Sequence, residues 1–149
     1  MNYRILAILL ICFTFASCKS RVDLKQGTFT GKHIRVGSEV KLFQKNIELV
    51  LVKDGRVFMN DLSGDYKEIH KMKRLHAWAL LRTIKRSGIR EKKVDQPGNL
   101  MTYFVKYNTN KNQYGWVWGK DGANPPEQIE ESVSELLNLM NKERKNSGK

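Results

Sequence analysis

The chain has 149 residues, 27 Lys+Arg against 15 Asp+Glu, and a formal net charge of +12. That length suits one domain and excludes a multidomain enzyme, and with 28% charged and 40% hydrophobic residues the bulk of it reads as globular rather than disordered or polytopic. The two cysteines, Cys12 and Cys18, both fall near the N-terminus and exclude a disulfide framework.

Residues 1–17 differ from everything after them. Met1 to Arg4 carries one cation, Ile5 to Ala16 is apolar, and Phe15-Ala16-Ser17-Cys18 closes the run with small residues before a cysteine. A lasting transmembrane helix needs ~20 apolar residues, so the run fits the apolar part of an export signal. It resembles the signal peptide of bacterial lipoproteins, in which the cysteine after the small residues becomes the first mature residue and carries diacylglycerol. That resemblance implies lipidation at Cys18, since Leu10-Ile11 before Cys12 are too bulky. Each buried methylene contributes about 0.8 kcal/mol, so two or three acyl chains make release negligible. Lys19 stands where that class carries an aspartate for inner-membrane retention, which favours the outer membrane with the domain facing the periplasm. Residues 18–26 read as an acylated tether, residues 27–145 as one domain, and 146–149 as a frayed tail.

Strand signals fill the first half of the domain. Thr28 to Val36 ends at a predicted Gly37-Ser38 turn, followed by Val40 to Gln44. Ile47 to Lys53 is apolar on both faces, as a central strand is. Asp54-Gly55 suits a two-residue hairpin turn into Arg56–Asn60. Asp65 and Glu68 have capping-box spacing and predict a helix start. Ala77, Leu80, Leu81 and Ile84 form its apolar face with Arg82, Lys85 and Arg86 opposite. Gly88-Ile89 predicts its left-handed stop.

After a loop at Gln96-Pro97-Gly98-Asn99, Leu100 to Tyr107 and Gln113 to Gly119 alternate as strands joined by a polar turn at 108–112. Asn124-Pro125-Pro126-Glu127 opens a last helix with Ile129, Val133, Leu136, Leu137 and Met140 on one stripe. The order ββββ-α-ββ-α predicts an α+β fold: an antiparallel sheet of about six strands with both helices on one face.

Catalytic signals are absent from the sequence. His70 and His76 do not share a helical face, His33 stands alone, and no metal motif, nucleophile elbow, phosphate loop or dinucleotide fingerprint is present. The carboxylates read as caps or solvated positions, so neither metal nor cofactor is expected and the sequence predicts a non-enzyme.

Two features point to binding. Residues 67–93 hold ten Lys/Arg and only Glu68 and Glu91 as acids. Such a run is ordinarily a solvated face. The sharper reading is an electropositive patch of Lys73, Arg74, Arg82, Lys85, Arg86 and Arg90 that attracts an anion. An exported, tethered protein rarely meets nucleic acid, which leaves anionic lipid head groups, lipopolysaccharide phosphates or an acidic envelope protein. The second feature is a cross-strand ladder of Tyr114, Trp116 and Trp118 against Tyr103 and Tyr107. It is core if the helices cover it and a binding surface if they take the other face.

From Ile47 to Met140 the layout resembles the emfourin family of small bacterial inhibitors of protealysin-type zinc metalloproteases. The residues that carry the likeness are an early hairpin, a helix ending near Leu80-Leu81-Ile84, the hairpin Tyr103-Phe104-Val105 to Trp116-Val117-Trp118, and Asp121-Gly122-Ala123-Asn124-Pro125-Pro126 before a Leu-rich helix. Asp54-Gly55-Arg56 stands where that family has a Gly-Gly-aromatic element, and no inhibitory residue is carried over. The resemblance implies a binding, non-catalytic role.

Overall fold

A computed structural model describes residues 22–23, 27–40, 45–60, 65–91, 94–119 and 127–147. The leader, Cys18 and the Asp121–Pro126 segment lie outside the described residues. In chain order the elements are β1 (Val22–Asp23), β2 (Thr28–Phe29), β3 (His33–Val40), β4 (Lys45–Val52), β5 (Arg56–Asn60), β6 (Tyr66–Lys71), α1 (Arg74–Arg86), β7 (Val94–Gln96), β8 (Met101–Asn108), β9 (Gln113–Gly119) and α2 (Glu127–Ser147). The fold is α+β. A seven-stranded sheet runs in the order β6-β5-β4-β3-β8-β9-β7, and β1-β2 form a small second sheet. Every pairing in the large sheet is antiparallel except β7 with β9.

Alternation along the strands sorts side chains onto two faces. On the front, Ile34 and Val36 of β3, Leu49 and Leu51 of β4, Val57, Val105 and Trp116 pack with Ala77, Leu80, Leu81 and Ile84 of α1 and with Ile129, Val133 and Leu136 of α2. Both helices therefore cover one face. On the back, Phe29, Val50, Val52 and Phe58 form a smaller cluster joined by Val22 and Tyr66. Val50 and Val52 are fully buried there, which explains why the Ile47–Lys53 run is apolar on both sides.

Four sequence expectations are corrected. The large sheet has seven strands rather than about six: the sequence gives no signal for β7 and misassigns β6, and of the expected separate strand Val40 to Gln44, Val40 ends β3 while 41–44 lie outside the described residues. The predicted helix start at Asp65–Glu68 is instead edge strand β6, paired with β5. There Tyr66 packs edge-on against Phe29 at 5.1 Å between centroids and donates its hydroxyl to Glu48 Oε1 at 3.2 Å. Those contacts across the sheet outweigh a local capping box. The helix begins only at Arg74, after Lys73, and no side chain caps it.

Gly37-Ser38 lies inside β3 rather than in a turn, with Gly37 opposite both Glu48 and Phe104. A Cβ on Gly37 would stand 2.3 Å from the Ile47 carbonyl oxygen and 2.7 Å from Phe104 Cζ. Glycine is there for close approach, not for a bend. Finally, the Asp54-Gly55 hairpin exists as a three-residue connection, 53–55. Gly55 at φ 93° donates its N–H to the Val52 carbonyl at 3.0 Å, and Arg56 reaches back to the Asp54 carboxylate at 2.9 Å. This is the other common hairpin solution, with glycine in the left-handed position.

The stop of α1 follows the sequence reading. Gly88 takes φ 87°, Ser87 N–H donates to the Thr83 carbonyl at 3.0 Å, and Ile89 is buried in the same main core as Ile84. Val22 and Asp23, within the segment read as a tether, form β1 and pair with Phe29 and Thr28.

Candidate binding surface

The aromatic ladder forms, with Tyr103 opposite Trp118, Val105 opposite Trp116 and Tyr107 opposite Tyr114. It lies on the front, under the helices. Tyr107 and Trp116 are each 2% exposed, and Tyr103, Tyr114 and Trp118 are half-buried. The reading of these five as an exposed aromatic surface is corrected: the ladder is core at its centre because both helices chose its face. Tyr103 stacks on Trp118 at 6.0 Å. Burial pushes the Tyr107 hydroxyl above its usual range, against the pull of Arg90.

On the back face the charged pair Arg35 and Glu48, with its neighbour Tyr66, is spent on structure. Glu48 is 4% exposed, and its Oε1 accepts from Arg35 Nη1 at 3.1 Å and from the Tyr66 hydroxyl at 3.2 Å. Arg35 Nη2 donates to the Gly27 carbonyl at 2.8 Å, and its guanidinium lies over Phe29 at 5.5 Å. This cluster ties β1-β2 to the sheet. His33 is buried beside it, with Nδ1 3.1 Å from the Gly31 carbonyl oxygen. Burial brings its pKa down from 6.5 to about 4, partly opposed by the Gly31 carbonyl and aided by Arg35. A depressed folded pKa means that the unfolded chain takes up the proton first. The stability due to neutral His33 is therefore complete above pH 6.5 and lost as pH falls toward 4. Urea midpoints across that window should fall for the native chain and fall less for His33→Phe, after allowance for other groups. Parallel curves for the two would contradict it.

The cationic residues remain at the surface. Helix α1 is built from Ala, Leu, Arg and Lys, which favour helix intrinsically. It has no acid in its first turn and carries Lys85 and Arg86 in its last, where the helix dipole favours cations. Ala77, Leu80, Leu81 and Ile84 face the core. At about 100° per residue, Arg74, Leu75, Trp78, Ala79, Arg82, Lys85 and Arg86 occupy an outer arc of roughly 140°. All seven are exposed, Leu75 at 82% and Trp78 at 47%. The Arg82 guanidinium sits 5.0 Å from the centre of the Trp78 ring, a cation–π contact between residues one helical turn apart.

The structure thus brings Arg74, Arg82, Lys85 and Arg86 together on one arc, with Lys73 at its N-terminal end. Arg90 is set apart. It lies past the Gly88 turn, with its guanidinium 5.2 Å from the Tyr114 ring centre. The ion pairs Arg35–Glu48, Arg56–Asp54 and His76–Glu135 involve none of these six cations. His76 Nε2 meets Glu135 Oε1 at 2.6 Å, bridging α1 to α2 on the flank of the arc.

Leu75 and Trp78 escaped the sequence reading. The available signal was two large apolar residues off the Ala77-Leu80-Leu81-Ile84 stripe, placed among arginines. Among the described residues, no group of three or more His, Cys, Asp or Glu side chains could hold a metal ion, and no helix is long and apolar enough to cross a membrane. The chain matches no protein-family model, and no curated protein matches it.

Proposed function

We propose that this chain is a lipid-anchored envelope lipoprotein, acylated at Cys18, whose small domain works by binding an anionic partner through the outer arc of α1. The observation that carries the binding half is the arc itself: arginines and a lysine without carboxylate partners among the described residues, around an exposed Trp78 and Leu75. Unpaired cations keep their field available to steer an anion within a Debye length of ~8–10 Å. The anchoring half rests on the Phe15-Ala16-Ser17-Cys18 segment and on Lys19, which favours the outer membrane.

Palmitate labelling with membrane fractionation tests the anchor. The native chain should incorporate label and sediment with membranes, and Cys18→Ser should lose the label and its normal processing. Normal processing of Cys18→Ser, with unchanged membrane association, would refute it.

A second reading, inhibition of a thermolysin-like metalloprotease, is favoured by the order of the β4-β5 hairpin, α1, the β8-β9 hairpin and α2. Mixing the protein at micromolar concentration with such a protease should then slow peptide cleavage, and unchanged cleavage removes the reading.

A further inference from the structure

Val22, four residues after Cys18, and the cationic arc lie on opposite sides of the sheet. Val22 packs with the back cluster of Phe29, Val50, Val52 and Phe58, whereas α1 packs on the front. Four peptide steps separate Cys18 from Val22, a span of at most about 14 Å at about 3.3–3.6 Å per residue. The outer arc of α1 lies beyond the sheet by the front side chains and a helix diameter of ~10–12 Å. An acyl chain on Cys18, on so short a tether, would hold the back of the domain toward its bilayer. The arc of α1 points away from it.

We propose that this arc is the docking site for an acidic protein surface with an apolar recess, presented on the side of the domain remote from its own membrane. The proposal rests on the anchor reading above and names the partner class. The choice of a protein comes from the composition of the arc. A charged polymer would use Arg74, Arg82, Lys85 and Arg86 and leave Leu75 at 82% exposure. A protein recess takes Leu75 and Trp78, while acids at its rim meet the cations. Tryptophan and arginine at the centre of an exposed patch are the residues that carry most binding energy in protein interfaces, and the surrounding charges set association rate and partner choice. Arg82 stacked on Trp78 at 5.0 Å holds the aromatic ring and a cation ready in one place.

The test replaces Ala79, exposed on the same arc, by a photoreactive phenylalanine derivative in the full chain, expressed in its host cell and irradiated there. A discrete adduct with an acidic protein is expected. It should fall by about tenfold or more when Arg82→Glu and Arg86→Glu are added or when Trp78→Ala is added, while thermal melts still show a cooperative fold lowered only slightly, since all three sites are exposed and Arg86 alone meets the helix dipole. Adducts to phospholipid, adducts indifferent to these substitutions, or no adduct overturn the proposal.

A second measurement places the purified full chain on vesicles of phosphatidylcholine and phosphatidylglycerol with brominated acyl chains. Trp78→Phe should leave the quenched fraction of tryptophan emission unchanged. Quenching that disappears with Trp78→Phe would put α1 on the bilayer and overturn it as well. Failure of the anchor shows in the fractionation of Cys18→Ser, whereas failure of the docking site shows in the adducts at position 79, so the two are distinguished.

Discussion

Replacing Trp116 by alanine should lower the unfolding free energy by about 3–5 kcal/mol, the range for deleting a buried tryptophan or phenylalanine. Trp116 is 2% exposed and packs with Val105, Tyr107 and residues of both helices in the main core. Alanine removes most of the side chain from beneath rigid neighbours, and the cavity adds to the lost transfer energy. Trp118→Ala, on the same strand face but half-buried, should cost clearly less. The comparison separates core from surface: a binding aromatic loses affinity when truncated and leaves the urea midpoint nearly where it was. An unchanged midpoint for Trp116→Ala would overturn the assignment of this residue to the core.

The Arg35–Glu48 pair gives the second large effect. Arg35→Met leaves the Glu48 carboxylate, whose side chain is 5% exposed, without its cation. Removing one partner of a buried ion pair costs about 3–5 kcal/mol, because the remaining charge stays desolvated and uncompensated. Replacing both, Arg35→Met with Glu48→Leu, should recover most of that loss, since an apolar pair of similar volume does not have to desolvate ions. A urea-unfolding double-mutant cycle reads the coupling directly. If the double variant is as unstable as the sum of the two single ones, the pair does not act as a unit. Loss at this site should also loosen the β1-β2 hairpin, because Arg35 Nη2 is hydrogen-bonded to the Gly27 carbonyl.

Much of the fold was legible because its signals are local and periodic. Gln113–Gly119 alternates so regularly that its limits coincide with β9, and Gly88-Ile89 ends α1 by a mechanism that needs only neighbouring residues. The misses arise where long-range contacts decide. Tyr66–Lys71 reads as a capped helix until Phe29 and Glu48 are placed beside Tyr66. Gly37-Ser38 reads as a turn until β4 and β8 flank it closely enough that a Cβ would strike backbone. Strand β7 is three residues long and parallel to β9, too short for alternation to register and dependent on a partner 22 residues away. The site divides in the same way. The cationic run was countable in the sequence, but which aromatics stood exposed depended on the face the helices took, and that choice buried Trp116 and left Trp78 outside.

The two borders of the large sheet carry a consequence for crowding. One is the three-residue β7 and the other is β6, with exposed Lys67, Glu68 and Lys71 along it. A short rim and a lysine-bearing rim both deny a neighbouring chain the long, flat ribbon that it needs to add itself strand by strand. Wherever copies of the chain are crowded together, such borders keep their sheets from zippering edge to edge into fibres.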